Sequence, residues 1–324
     1  MPNIAILNEC NLRCPYCFAD DMIENQKHDA VHQSQIMSVD DFVKVLKFLD
    51  GQPIGRIGII GGEPTLHPDI KQILNETKAF CLKNRCASTI FTNGIHLDVI
   101  IPFISRDLFT LLININSPDV TGKENYEKII ENLHLIYDSF GWEDKASIGL
   151  NIYHELDDYS YFYDIIKQFH IKQVRTSIVA PTYKDHQKDK EAYYKKMKNK
   201  ALKVYQKIYE AGAIVRLDCN RIPLCYFSKE EIEKLNLYTD NKYDHFFCIP
   251  TIDITPRLEA VRCFGVYKPV SIFNFESYDA LYRYFQVKQD YVQIESNCVQ
   301  RCKKCKNFDS MSCYGGCLAF ATRN

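Results

Sequence analysis

The residues best suited to chemistry are three cysteines near the start of the chain. Cys10-Asn11-Leu12-Arg13-Cys14-Pro15-Tyr16-Cys17 has the form C-x3-C-x2-C and follows an apolar run, Asn3–Leu7, that reads as a buried strand. Three thiolates can hold three irons of a 4Fe–4S cube and leave the fourth iron open to a ligand, whereas four cysteines would saturate it. Zinc is the competing metal, but a structural zinc site closes with four ligands and no fourth is at hand. Packed, reduced cysteines are the bland alternative, and the polar loop of Asn11, Arg13 and Pro15 argues against them. A second motif, Gly61-Gly62-Glu63-Pro64, ends the next candidate strand, Arg56–Ile60. Glycines let the backbone approach a ligand closely, and the Glu63 carboxylate can accept hydrogen bonds from an ammonium. Alone this is a weak turn signal; one strand–helix unit after the cysteines it becomes a strong one.

Taken together, these residues resemble the signature of the radical S-adenosylmethionine (radical SAM) superfamily, with the aromatic Tyr16 before the last cysteine. The resemblance implies that Cys10, Cys14 and Cys17 bind a 4Fe–4S cluster whose open iron chelates S-adenosylmethionine. One electron then breaks a sulfur–carbon bond and yields the 5′-deoxyadenosyl radical; the cofactor does the radical chemistry and the protein positions it. The same resemblance implies that Gly61 to Pro64 meets the methionyl amino group. It places Thr92-Asn93-Gly94, the stretch from Asn114 to Ser117, Asn151 and Arg175 near the adenosine or carboxylate. Each of these softer candidates reads equally well as a cap or turn residue, and His67 reads as a helix-entry residue.

Seven further cysteines crowd the C-terminal part: Cys248, Cys263, Cys298, Cys302, Cys305, Cys313 and Cys317. Cys302–Cys305 is C-x2-C and Cys313–Cys317 is C-x3-C, a strong metal signal that does not choose between zinc and iron–sulfur. Arg301, Lys303, Lys304 and Lys306 surround the pair, and cations favour deprotonated thiol ligands. The segment resembles the SPASM extension of peptide-modifying radical SAM enzymes, which houses up to two auxiliary 4Fe–4S clusters. It departs from that pattern in three ways. Leu258 stands where a glycine is usual between Cys248 and Cys263, seven residues rather than five separate Cys305 from Cys313, and no cysteine follows Cys317. The resemblance implies Cys248, Cys263 and Cys317 on one cluster and Cys298, Cys302, Cys305 and Cys313 on another. The first is then left with an open iron or completed by Cys219 or Cys225; a single cluster with some free cysteines is the alternative. As thiols near a radical site, Cys219 and Cys225 are also candidate hydrogen-atom donors, or simply packed side chains. Cys81 and Cys86 read as structural.

The elements that must position these groups alternate in type. Ser38 reads as a helix N-cap with Asp41 at the third position beyond it, and Phe42, Val45, Leu46 and Leu49 follow at helical spacing up to Gly51. After Arg56–Ile60, further strands are expected at Ala87–Thr92, Leu108–Asn116, Ser147–Tyr153 and Gln173–Ile178, with helices around Pro68–Asn84, Glu124–Phe140 and Tyr159–Phe169. Such alternation argues a parallel sheet covered by helices. Six units fit the first part of the chain, too few for the eight of a closed barrel at about 250 residues. The expectation is an α/β fold, a partial (β/α)6 TIM-like barrel over 1–215, with a cysteine-rich iron–sulfur domain over 216–324. The lysine- and carboxylate-rich stretch Tyr183–Lys200 reads as a solvated helix face.

Composition narrows the function classes. Among 324 residues, Lys+Arg 40 and Asp+Glu 41 nearly cancel, which excludes a global field for nucleic acid or anionic membrane. No tract approaches the roughly 20 apolar residues of a membrane span. The start lacks the basic region and cleavage site of a signal peptide, so a cytoplasmic protein is expected. In that compartment 14 cysteines point to metal ligation more than to disulfides.

The leading functional expectation is hydrogen-atom abstraction from a peptide or protein, giving a thioether or carbon–carbon cross-link, an epimerised residue or an oxidised side chain, as in maturation of ribosomal peptides. The resemblance implies an external electron donor of flavodoxin or ferredoxin type. The first strand starts almost at Met1, so a separate peptide-recognition protein, or the barrel itself, is expected to capture the substrate. The alternatives are a radical SAM dehydrogenase or epimerase of a small molecule, and a non-catalytic iron–sulfur or zinc protein. An electron carrier needs neither the open three-cysteine motif nor Gly61–Pro64.

Overall fold

Ser38 caps the first helix, α1 (Val39–Leu49): its hydroxyl accepts the Asp41 N–H at 3.1 Å, and Phe42, Val45, Leu46 and Leu49 are all buried on one face. Burying each of these side chains stabilises by about 1.5–3 kcal/mol, which fixes which face of α1 meets the sheet. The computed structural model describes residues 1–17, 35–179, 189–240, 243, 248, 251–265 and 268–321. Strands form where alternation and β-branching predicted them. They are β1 (Pro2–Ala5), β2 (Arg56–Ile60), β3 (Ala87–Thr92), β4 (Phe109–Asn114), β5 (Ala146–Ile152) and β6 (Gln173–Ile178). Between them lie α1, α2 (Ile70–Asn84), α3 (Lys123–His134) and α4 (Ser160–Gln168). The fold is α/β with mostly parallel strands.

The chain divides into two compact units that interleave along the sequence instead of parting near residue 216. The first comprises Met1–Ser147 and Pro250–Val287, the second Ile148–Ile249 and Lys288–Asn324. In the first, β1 to β4 pair in parallel in chain order. On the other side of β1 lies β8 (Ile252–Ile254), also parallel, followed by antiparallel β9 (Glu259–Val261) and β10 (Val270–Ser271). Chain from beyond residue 216 therefore completes the first unit, because β8 needs a strand edge and β1 offers one.

The tight turn between β8 and β9 contains Leu258, with φ 59°. A left-handed backbone costs a residue with a Cβ roughly 1–2 kcal/mol, a cost glycine does not incur. The glycine missing from the cysteine pattern is thus missing at a position whose geometry favours it. Leu258→Gly is expected to stabilise the protein by about 0.5–1 kcal/mol after the extra chain entropy of glycine is subtracted, read as a higher denaturant midpoint with unchanged slope.

In the second unit β5, β6 and β7 (Ile214–Leu217) pair in parallel. The helix before β7, α5 (Lys190–Glu210), is charged on one face only. Tyr193, Tyr194, Met197, Ala201, Val204, Tyr205 and Ile208 are buried on the other. The solvated helix expected over Tyr183–Lys200 is therefore half a core helix; its residues 183–188 lie outside the described residues. A helix α6 (Lys229–Tyr238) follows, opened by a reciprocal cap between Ser228 and Glu231.

Candidate cofactor site at the strand ends

The cysteine loop leaves the C-terminal end of β1 and is strapped to the glycine motif that leaves the neighbouring β2. Gly62 N–H donates to Leu7 O at 2.8 Å, and Glu63 N–H to Glu9 O at 2.8 Å. The two segments are so close that a Cβ on Gly62 would stand 2.0 Å from Glu9 O. That close approach explains a glycine here without any ligand, and it sets the position at which the chain enters Cys10.

Glu63 is 1% exposed, and its carboxylate points into the protein. Oε1 accepts from Thr65 N–H at 3.2 Å, Thr65 O–H at 2.7 Å and Thr92 O–H at 2.8 Å; Oε2 accepts the Asn93 N–H at 2.7 Å. A carboxylate has about two lone-pair sites on each oxygen; three of these donors crowd Oε1, and Oε2 takes one and keeps a site. Burial raises the Glu63 pKa, opposed by these hydrogen bonds. Through these bonds Glu63 ties the end of β2 to the end of β3. Asn93 carries the tie onward, its amide donating to Asn11 Oδ1 at 2.7 Å in the cysteine loop. From α3, Asn132 holds the same turn by donating to Gly94 O and Ile95 O at 2.8 and 3.0 Å.

The thiols themselves are part-buried. Leu12 N–H donates to Cys10 Sγ and the Asn116 amide to Cys14 Sγ, each at 3.4 Å. Cys17 packs, as does Ile60, against the buried cluster of Ala5, Val261 and Phe264. Burial first, and then the nearby Cys17 and Cys10, push the Cys14 thiol up to about 12. Three thiolates here repel one another in a partly desolvated loop, and a bound cation is what would let them ionise together. Ser117 Oγ, three residues beyond the end of β4, is buried with no hydrogen-bond partner among the described residues. Tyr16 and Pro64 are buried as well, and Asn114 closes β4 half-buried. Asn116, inside the Asn114–Ser117 stretch, is the residue of that stretch whose side chain reaches a cysteine.

Residues 4–159 match the family model of the Radical SAM superfamily. This stretch is a radical SAM domain. Radical SAM domains use a 4Fe–4S cluster and S-adenosylmethionine, and the residues present suit them: three thiols on one loop, amide donors to two of the sulfurs, and an orphaned buried hydroxyl on Ser117, next in sequence to the Asn116 donor. Among the described residues no three His, Cys, Asp or Glu side chains converge as ligands of a single metal ion. Cys10, Cys14 and Cys17 are the residues that would hold the cluster.

The GTP 3′,8-cyclase of Chlorobaculum tepidum is 38% identical over 96 residues, 29% of this chain and 26% of the relative. The chain spans less than half the length of the curated relatives it matches. Two solved structures share the fold over 98% of the chain. The structure of anSMEcpe with bound AdoMet and the Kp18Cys peptide has TM-score 0.61 at 16% identity, covering 88% of that chain. Streptococcus suis SuiB bound to precursor peptide SuiA has TM-score 0.59 at 15% identity, covering 71%.

Apart from Cys263, the remaining expected site residues belong to the second unit. Asn151 accepts a hydrogen bond from the Ser177 hydroxyl, and Arg175 forms an ion pair with Asp218 at 2.6 Å, so both have partners within the fold. Cys219 and Cys225 are exposed; Cys248, Cys298, Cys305, Cys313 and Cys317 are half-buried and Cys302 is buried. Cys263, also half-buried, belongs to the first unit. Three residues carried no site signal in the sequence: Lys190, whose ammonium is within electrostatic reach of Cys302, Cys317, Cys313 and Cys298; Glu191, in the same lysine-rich run, which pairs with Arg301; and Tyr194, whose hydroxyl accepts the Cys317 N–H at 2.7 Å. Among the described residues no helix is long and apolar enough to cross a membrane.

Proposed function

We propose that the protein is a radical SAM enzyme that abstracts a hydrogen atom from a peptide or protein substrate. The observation that carries this reading is the extent of two likenesses. The match to the Chlorobaculum tepidum nucleotide cyclase takes in 29% of the chain, whereas the fold shared with two peptide-bound proteins runs through 98% of it, cysteine-rich segment included. When bound, the cluster and S-adenosylmethionine supply the one-electron cleavage that generates the abstracting radical. The chain's own part is positioning. Cys10, Cys14 and Cys17 ligate; Leu12 N–H and the Asn116 amide steady two of the sulfurs; Glu63 and Asn93 hold the loop. Glu63 keeps one lone-pair site on Oε2 for the cofactor's ammonium, and the glycine motif offers its backbone as well. Ser117 Oγ is a free buried hydroxyl for the cofactor's polar end.

The testing experiment incubates anaerobically reconstituted protein with S-adenosylmethionine and a chemical reductant, adding either a pool of cysteine-containing synthetic peptides or GTP. Stimulated 5′-deoxyadenosine together with a mass change in a peptide is the expected outcome. Consumption of GTP with no peptide change would replace this reading by a small-molecule one, which the nucleotide-cyclase relative makes the second reading.

Asn116 offers a check on the positioning argument. Hydrogen bonds to a cluster's sulfurs raise its reduction potential. Losing one worth ~1 kcal/mol corresponds to about 40 mV for a single electron. Asn116→Ala is expected to lower the midpoint potential of the N-terminal cluster by about that amount, measured by redox titration of its EPR signal.

A further inference from the structure

The second unit contains a cavity lined by four cysteines: Cys302, Cys305 and Cys313 from the C-terminal segment, and Cys225 from the loop that follows β7. Cys298 does not line it, although its thiol lies within hydrogen-bond reach of Cys302. We propose that Cys225, Cys302, Cys305 and Cys313 are the ligands of one auxiliary iron–sulfur cluster, Cys225 supplying the fourth thiolate that the C-terminal segment lacks. This rests on the reading of the chain as a peptide-modifying radical SAM enzyme and specifies an auxiliary cluster in its C-terminal segment.

Several independent features support this set. Cys225 lies within electrostatic reach of Cys302 and Cys305, and Cys313 within reach of Cys225, Cys302 and Cys305, so the four form one group. All four border one space, as the ligands of a polynuclear cluster do, each on its own iron. The cavity carries fixed positive charge. Arg301 is clamped by Glu191, Nε to Oε1 at 3.0 Å and Nη2 to Oε2 at 2.8 Å. Its guanidinium stacks on Tyr226 at 4.7 Å, and Nη1 reaches Cys225 Sγ at 3.9 Å. Four thiols that exchange S–H for S–Fe release four protons and leave an anionic cluster, which such a cation stabilises. Gly315 N–H already donates to Cys313 Sγ at 3.4 Å. The turn carrying that sulfur is set by Gly316, φ 107°, where a Cβ would stand 2.3 Å from the Tyr194 hydroxyl.

Cys225 also permits a clean test because it is exposed: packing alone would not shield it from an alkylating reagent. In the reconstituted, unsubstituted protein, iodoacetamide is expected to leave Cys225 unmodified and to label it once iron is removed with a chelator. Alongside, full-length chain carrying Cys10→Ala, Cys14→Ala and Cys17→Ala isolates the C-terminal iron for iron and sulfide counting and EPR. Adding Cys225→Ala is expected to lower iron by about four per chain or to give a three-iron signal on mild oxidation; adding Cys298→Ala is expected to change neither. Full alkylation of Cys225 in iron-loaded protein overturns the ligand assignment alone, as does the same loss in Cys298→Ala. No iron in the triple-alanine chain, or zinc in its place, overturns the auxiliary cluster itself.

Discussion

Replacing Cys10, Cys14 and Cys17 together by alanine is expected to bring 5′-deoxyadenosine formation down to the level of reductant and S-adenosylmethionine without protein, and to remove about four irons per chain. The magnitude follows from the chemistry. With no ligand there is no cluster, and with no cluster no electron reaches the cofactor. The stability cost should be small by comparison. All three thiols are only half-buried, and the loop is fastened through backbone atoms, Gly62 N–H to Leu7 O and Glu63 N–H to Glu9 O, and through Asn93 to Asn11. Loss of 5′-deoxyadenosine with an unchanged denaturant midpoint and a retained C-terminal iron fraction is the expected pattern. Undiminished product from the triple variant would remove the mechanism.

The largest stability effect is expected at Glu63. In Glu63→Ala, Thr65 and Thr92 can turn their hydroxyls elsewhere, but the Thr65 and Asn93 N–H groups cannot move without moving the chain. Leaving a buried donor unsatisfied costs about 1–3 kcal/mol, so the loss should be about 2–6 kcal/mol. Glu63→Gln tests the same account more finely. Its single carbonyl oxygen can serve one of the two N–H groups and its NH2 must face the other, leaving one orphan and a loss of about 1–3 kcal/mol. Denaturant unfolding monitored by far-UV CD separates these values. If Glu63→Gln matched the native protein in stability but abolished binding of S-adenosylmethionine, the carboxylate would be a ligand contact only and the structural role assigned to it would fall.

Much of the fold was legible because periodicity and caps are local properties. Arg56–Ile60, Ala87–Thr92 and Gln173–Ile178 form strands over the residues predicted, and Ser38 caps α1 with four buried apolar residues following as expected. Two elements were harder to read for identifiable reasons. In α5 every turn carries lysine, which masks the apolar face to which Tyr194 and Met197 belong. Strand β8 has three residues, too few to show a period, and it exists because β1 offers it an edge.

The sequence by itself determined the chemistry available: which thiols stand together on one loop, that a glycine pair follows one unit later, and that strands and helices alternate. Those are facts about spacing, and spacing within about ten residues constrains geometry directly. Only the tertiary structure decided what the side chains face. It turned the Glu63 carboxylate inward onto Thr65, Thr92 and Asn93, pointed the Asn116 amide at Cys14, paired Arg175 with Asp218, and brought Cys225 beside cysteines some eighty residues further along the chain. Hydrogen bonds and cavity walls of this kind join residues from different strands and loops, and no local pattern records which distant partner will satisfy a buried donor or complete a set of ligands.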